Sequence, residues 1–513
     1  MQLGFVLDQS RCIGCHACTV ACKSENDVPV GSFRTWVKYT EQGEFPAVKR
    51  SFAVLRCNQC TQAPCVTICP VKALEKRPDG IVDVDPAACI GCKSCMHGCP
   101  YDALYINPDK GTAEKCHFCA HRTEQGLAPA CAVVCPTEAI IPGDFDDPES
   151  VVSKMRNGGS LRARKVEAGT GPNVFYNEVN DAGIDPLKTA SSGGHIWADR
   201  HPGLPQEARA FDDEMALMEE HADPSARART TYDVAHPPLW GGKITGYLFF
   251  KALAAGVFLA GCFGMPGVLG VPTAGASIAI PLMGLLFLTL TTALLIADLK
   301  RPERFLYIIT RPNWDSWLVR GTWFLIGYGG ILTVALLAAL LGARHFGPVI
   351  RVLGIVGAFG SAAYTGWLFG QAKGRVLWMQ RGLWLRLAVQ ALLGGAAVLI
   401  LAAPLFGLEA DPRVDLERVL GLGLLAHGVF LMLESKLAPT KREAEYARVL
   451  ALVKSGPFSR LHWLGGVLFG TLVPITILAL YPAGSMVAAA LALIGLWIEK
   501  DTLVRAGQAL PIS

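Results

Sequence analysis

The sequence predicts an α+β domain built around bound metal, followed by an all-α domain of eight transmembrane helices. Two observations carry this. Sixteen of the seventeen cysteines lie between Cys12 and Cys135, and from about Lys243 onward apolar runs of about twenty residues follow one another. A chain of 513 residues has room for both parts. The net charge of +4 is modest, and basic and aromatic residues are not interleaved as nucleic-acid binding requires.

The cysteines form four groups of four: Cys12, Cys15, Cys18, Cys22; Cys57, Cys60, Cys65, Cys69; Cys89, Cys92, Cys95, Cys99; and Cys116, Cys119, Cys131, Cys135. The first and third have the C-x2-C-x2-C-x3-C spacing of bacterial ferredoxins, and Pro70, Pro100 and Pro136 follow the last cysteine of the second, third and fourth groups. On such a loop three thiolates reach three irons of a cubane, while the fourth leaves on a helix toward a neighbouring cluster. Four 4Fe-4S clusters in a ferredoxin-like α+β domain, residues 1–145, are therefore expected. Disulfides and zinc are the alternatives, but the Cys-Pro endings and the lack of paired C-x2-C and H-x3-H sets fit neither.

Within this domain short loops and helices are expected, with strand-like pieces such as Gly80 to Val84. Residues 146–238 are rich in Gly, Pro, Asp and Glu, with an amphipathic helix near Glu207 to Glu220. They read as an extended strap over the cluster domain, with a free linker as the plainer alternative. Residues 239–513 hold eight spans, at roughly 243–262, 277–298, 320–341, 350–371, 384–405, 416–434, 462–481 and 484–500.

An even number of spans leaves the cysteine domain, the loops 299–319, 372–383 and 435–461, and the C-terminus on one face. Lys and Arg crowd these loops, against Arg344, Arg351, Arg413 and Arg418 on the other face. The positive-inside rule then expects a multi-pass protein of the inner (cytoplasmic) membrane with its clusters in the cytoplasm. The N-terminal residues carry no export signal or twin-arginine pair, which agrees. A periplasmic cluster domain, carried across by a partner's signal, is the alternative.

Cys12 to Asn26 and Ala113-Glu-Lys-Cys-His-Phe-Cys resemble the four-cluster electron-transfer subunits of the dimethyl sulfoxide reductase superfamily, and the likeness runs to about Tyr176. The membrane half resembles the polysulfide reductase-type quinone-binding subunit through Asp298 to Phe305, Arg311 to Leu318, Tyr364-Thr-Gly and Val504 to Pro511. The two are usually separate polypeptides and here look fused. The resemblance implies nested ligand sets: Cys12, Cys15, Cys18 with Cys135; Cys116, Cys119, Cys131 with Cys22; Cys57, Cys60, Cys65 with Cys99; and Cys89, Cys92, Cys95 with Cys69. It also implies that the first set faces a molybdopterin (Mo or W) catalytic subunit and that the Cys57 set faces the membrane. With Cys92 present, rather than the Trp of some nitrate reductase-type relatives, a full cubane is expected there.

A haem anchor needs histidines paired across helices, and only His427 lies well inside a span, with His462 at a helix mouth. No haem is expected; the electron acceptor or donor in the bilayer is then a quinone, menaquinone or ubiquinone. Ionisable residues in spans are costly and often functional. Tyr247, Lys251, Tyr364, Gln371 and Glu434 are the candidate quinone residues, Tyr247 and Tyr364 foremost. Interfacial packing is the plain alternative for the tyrosines, and snorkelling or an ion pair for Lys251. His427 reads as a packed, hydrogen-bonded histidine and Cys262 as a small buried residue. Asp298, Arg301, Glu303 and Arg304 read as a docking and salt-bridge loop, and His16, His97, His117 and His121 as residues that shield or tune clusters.

The expectation is an electron-transfer and membrane-anchor subunit of a molybdopterin oxidoreductase complex. It is non-catalytic toward the partner's substrate but reactive with quinone. A redox-driven proton-pumping module and a membrane scaffold of a larger respiratory complex are the alternatives.

Overall fold

A computed structural model of the protein describes residues 1–190, 228–234, 237–264, 274–342, 347–406 and 410–513. The helix expected near Glu207 to Glu220 lies outside these residues.

Strands β1 (Leu3–Asp8), β2 (Thr35–Gln42) and β3 (Lys49–Arg56) open the chain. Two small antiparallel pairs follow, β4 (Leu74–Lys76) with β5 (Val82–Val84), and β6 (Leu104–Ile106) with β7 (Ala113–Lys115). Then come β8 (Ile140–Asp144), β9 (Val174–Asn177), β10 (Thr189–Ala190) and β11 (Ala228–Tyr232). The piece expected at Gly80 to Val84 is β5. Each two-stranded pair bridges consecutive cysteine groups, so the repeat legible in the cysteines is also a repeat of structure.

Strand β1 is central and apolar up to its last residue, Asp8, with β8 antiparallel on one side and β9 parallel on the other. Its Phe5, Val6 and Leu7 are fully buried, as a strand covered on both faces requires. The second sheet has the order β10-β11-β2-β3. Where it is described, the strap is thus not a loose tether: β9 extends the first sheet and β11 runs antiparallel to β2.

Among the described residues eight helices are long and apolar enough to cross a membrane: Gly242–Phe263, Ala276–Asp298, Trp317–Leu340, Gly347–Gly370, Leu383–Leu405, Val414–Lys436, Leu461–Leu480 and Pro482–Ala509, called spans one to eight here. Span one is the hub. It packs against spans two, four, five, six and eight, and 83% of its central stretch is buried, against 22% in spans three and seven. Gly256 and Gly395 let spans one and five approach so closely that a Cβ on either would overlap the other's backbone. The outer spans present Leu286, Leu337, Leu422 and Met432, all exposed, to where lipid tails lie. Span seven is wound as a wider π-helix over Leu461–Leu472, ahead of Pro474.

The halves share one apolar core, which runs from Cys57 through the membrane helices to Leu510. The covalent linkage at residues 239–241 is therefore only one of many connections between them.

Candidate functional site

The sequence Cys-Ile-Gly-Cys occurs twice, and in both copies the glycine, Gly14 at φ 71° and Gly91 at φ 68°, turns the loop through the left-handed region. Short helices then begin within each group, at Ala17–Glu25, Pro64–Ile68, Ser94–Gly98 and Ala130–Val133. They carry Cys22, Cys69, Cys99 and Cys135 away from their own loops.

Cysteines of each set that the resemblance implies neighbour one another, and cysteines of different sets also meet, as Cys18 does Cys131 and Cys57 does Cys116. Cys12 neighbours Cys15 and Cys135, and Cys18 neighbours Cys12; Cys22 neighbours Cys116, Cys119 and Cys131. Cys65 neighbours Cys57, Cys60 and Cys99, and Cys95 neighbours Cys89, Cys92 and Cys69. None of the seventeen cysteines is in a disulfide. Small cavities, of about 10 Å³ and 20 Å³, are lined by the Cys22 and Cys69 sets respectively. Among the described residues no three His, Cys, Asp or Glu groups converge closely enough for a single metal ion. Soft thiol donors in groups of four, with ferredoxin spacing, fit a cluster better than zinc.

Donors are already aimed at the sulfurs. Ala139 N donates to Cys135 Sγ at 3.3 Å, Ala113 N to Cys89 Sγ at 3.4 Å, and the Arg56 guanidinium to Cys131 Sγ at 3.3 Å. Such donors favour the thiolate and raise cluster potential. Cys15 alone among the cysteines is exposed, and Ile13, Val20 and Val133 nearby are more than half exposed.

The loop between spans two and three grips the other end of the array. Asn313 Nδ2 donates to Cys69 O at 2.8 Å, Ser316 Oγ to Ile68 O at 2.8 Å and Arg304 to Cys89 O at 3.0 Å. Lys93 forms a buried ion pair with Asp298 at 2.9 Å. The loop thus holds the Cys69, Cys89, Cys92 and Cys95 set together with the helix Pro64–Ile68, which carries Cys65 of the Cys57 set. The Cys57 set also touches the membrane half through Cys99, next to which Gly374 N donates to His97 O at 2.9 Å.

His97 is fully buried, and burial, with Arg375 and Lys93 nearby, holds its pKa well below the usual histidine value. Its ring lies 4.1 Å from Trp240 and 4.9 Å from Trp378, and Phe369 stacks on Trp378 at 4.7 Å. Neither tryptophan stands out in the sequence, where each is an ordinary interfacial aromatic. His16 pairs with Tyr39 at 2.9 Å, His121 with Glu25 at 2.8 Å, and His117 lies 5.5 Å from His121, ring to ring.

Beneath the aromatic group, three of the candidate quinone residues meet. The Tyr247 and Tyr364 hydroxyls hydrogen-bond to each other, and Lys251 donates to Thr365 Oγ1 and, at 3.3 Å, to Ala362 O. Its ammonium lies 4.4 Å from the Tyr364 ring centre. Gly321 on span three leaves the room that this ring occupies.

The other two candidates lie in different networks. Gln371 accepts from Trp317 N at 2.9 Å and donates to Asp315 O at 2.7 Å, so its amide pins the start of span three. Glu434 pairs with Arg386 at 2.9 Å. Arg386 also pairs with Glu499, which accepts from Gln390 at 2.8 Å and meets His427 Nε2 at 2.8 Å; Lys500 donates to Gln390. His427 is thus hydrogen-bonded, and His462 lies buried close to the same carboxylates. A signal for this network does exist in the sequence: Glu499, Lys500 and Asp501 stand consecutively in an apolar run.

Comparison with known proteins covers both halves. Residues 231–511 match the family described as polysulphide reductase, NrfD, and residues 48–145 match a 4Fe-4S dicluster domain. A tetrathionate reductase subunit of Salmonella typhimurium is 46% identical over 190 residues, 36% of this chain and 76% of that protein. A polysulfide reductase polypeptide of Wolinella succinogenes is 39% identical over 187 residues, 36% of this chain and 98% of that protein. The iron-sulfur subunit of an arsenate respiratory reductase of Shewanella is 36% identical over 224 residues, 34% of this chain and 96% of that protein.

Proposed function

The chain belongs to the polysulphide reductase, NrfD family, with an iron–sulfur electron-transfer half of the kind found in reductase subunits, and from that premise we propose that it links a molybdopterin catalytic subunit to the membrane quinone pool. The observation that carries this is the run of thiol sets from exposed Cys15 to the Cys69 set in the grip of the membrane loops, with Tyr247 and Tyr364 beneath.

Four 4Fe-4S clusters, when bound, supply one-electron transfer along the array. The sixteen thiolates hold them in the nested sets, and N–H donors such as Ala113 and Ala139 offset their charge. The apolar rim at Ile13, Val20 and Val133 seats the catalytic partner. At the other end, Tyr247 and Tyr364 hold a quinone carbonyl, exchanging their mutual hydrogen bond for bonds to the substrate, and Lys251 supplies positive charge and a proton. Reduction of one quinone takes two electrons and two protons; oxidation of a quinol reverses both. The positively charged loops favour a cytoplasmic cluster domain in the inner membrane.

Gentle extraction from native membranes, with mass spectrometry and metal analysis of what co-purifies, tests this. A molybdenum or tungsten protein is the expected companion, and a complex without either metal would overturn the partner assignment.

A second reading, redox-driven proton pumping, is favoured by one observation: the Arg386, Glu499, His427, Gln390 and Lys500 network is buried among spans five, six and eight. Proton uptake by sealed vesicles during turnover, beyond the protons consumed at the quinone, distinguishes it.

A further inference from the structure

Arg56 ends β3, directly before Cys57, and its side chain is fully buried. One guanidinium nitrogen donates to Cys131 Sγ at 3.3 Å and another to Thr35 Oγ1 at 3.2 Å, while its carbon lies 4.3 Å from the centre of the Phe5 ring. Among the described residues it is paired with no carboxylate. A buried guanidinium is costly unless opposite charge is near, and arginine cannot shed its proton to escape that cost.

The groups on which its charge acts are thiols from two different sets. Cys131 and Cys116 belong to the set with Cys22 and Cys119, and Cys18 to the set with Cys12, Cys15 and Cys135. Arg56 therefore stands between these two sets. It is also fixed there: Thr35 holds the guanidinium from one side and Phe5 covers its face, so its position does not depend on solvent. Its backbone belongs to the strand that leads into the second cysteine group, which ties this cation to the array by covalent geometry.

We propose that Arg56 is a potential-setting residue, a permanent buried cation whose charge raises the reduction potentials of the two clusters on either side of it. Reduction adds one negative charge to a cluster, and a nearby fixed positive charge stabilises the reduced state more than the oxidised one. The electron passes on and Arg56 is unchanged; no proton is exchanged, so the effect is independent of pH. Lys115 occupies the corresponding place one step along, buried beside Cys116, Cys57 and Cys65, with its ammonium donating to Cys116 O at 2.8 Å.

The inference rests on the reading that the four thiol sets hold clusters, and its test separates the two. The full-length protein is purified with Arg56→Met and Arg56→Lys variants, iron and acid-labile sulfide are measured, and each cluster is titrated potentiometrically by electron paramagnetic resonance. A parent without four cubanes' worth of iron overturns the cluster reading itself. With the parent loaded, the expected result is a shift of two of the four midpoint potentials to lower values in Arg56→Met, equal at pH 6 and pH 8, and near-parental potentials in Arg56→Lys. Four unmoved potentials, or an equal shift of all four, overturn the inference. If Arg56→Met is short of iron, the lysine variant decides. Full iron and parental potentials there sustain the charge requirement; an equal shortage overturns it, because the position then supplies shape and not charge.

Discussion

Tyr247 of span one and Tyr364 of span four meet hydroxyl to hydroxyl inside the bundle, both nearly inaccessible to solvent. Buried hydroxyls are ordinarily partnered, and this pair satisfies itself until a quinone carbonyl takes its place. Replacing either by Phe deletes one hydroxyl and keeps the ring. Tyr247→Phe and Tyr364→Phe are expected to lower quinone-linked turnover on the order of 10²-fold while leaving the protein folded and its iron unchanged. Steady-state assay with a soluble quinone analogue checks this; unchanged turnover in both variants removes the pair from the site.

Lys251 sits one turn from Tyr247, and among the described residues it is paired with no carboxylate. A charge so placed is costly to bury. Lys251→Met, similar in length and apolar, is expected to raise stability by about 1–3 kcal/mol and to depress quinone turnover at the same time. Thermal unfolding in detergent, run beside the turnover assay, reads both. A variant that loses stability and keeps its turnover would mark Lys251 as structural.

Arg386 of span five holds two carboxylates, Glu434 of span six and Glu499 of span eight. Arg386→Ala leaves both without their shared cation. The expected cost is about 3–5 kcal/mol, far more than truncating an exposed arginine such as Arg418. Denaturation in mixed micelles compares the two, and equal losses would show that the network carries no stability.

Lys165 lies at the junction of the halves, 3.6 Å from Glu445 and without a hydrogen bond, while Glu445 is already held by Arg442 at 2.6 Å. Burial, partly opposed by Glu445, lowers the Lys165 pKa to about 8 from the ordinary 10.5. Between these values the unfolded state binds more protons than the folded one, so stability rises with pH through that window, and the burial cost is felt in full below it. Lys165→Met is expected to remove this rise and to add about 1–3 kcal/mol of stability at neutral pH. Unfolding at pH 7 and pH 10 checks it; a variant with the parental pH slope would exclude Lys165 as its source.

The four cysteine groups and the eight spans were legible because each rests on a local pattern, spacing in one case and length of apolar run in the other. The meeting of Tyr247, Lys251 and Tyr364 was half legible: helical spacing puts Lys251 below Tyr247, but only packing brings span four beside span one. Gln371 and Glu434 carry the same sequence signal as those three, a polar side chain near a span end, yet they serve the loop before span three and the Arg386 network. How the membrane loops hold the array was not legible, because Asn313 and Arg304 reach backbone carbonyls, and a carbonyl has no signature in the sequence. Trp240 and Trp378 were missed because their meeting with His97 joins residues more than 100 positions apart.

The measurement that bears most directly on the proposed relay is a single-turnover experiment on the purified full-length protein. Its clusters are reduced chemically, excess reductant is removed, and a menaquinone analogue is added while the iron–sulfur absorbance is followed. The expected result is four cubanes' worth of iron and sulfide, reoxidised by the analogue in the parent and much more slowly in Tyr364→Phe. Clusters that stay reduced in the presence of the quinone, with the iron content intact, would contradict electron passage from the thiol array to a quinone at Tyr247 and Tyr364.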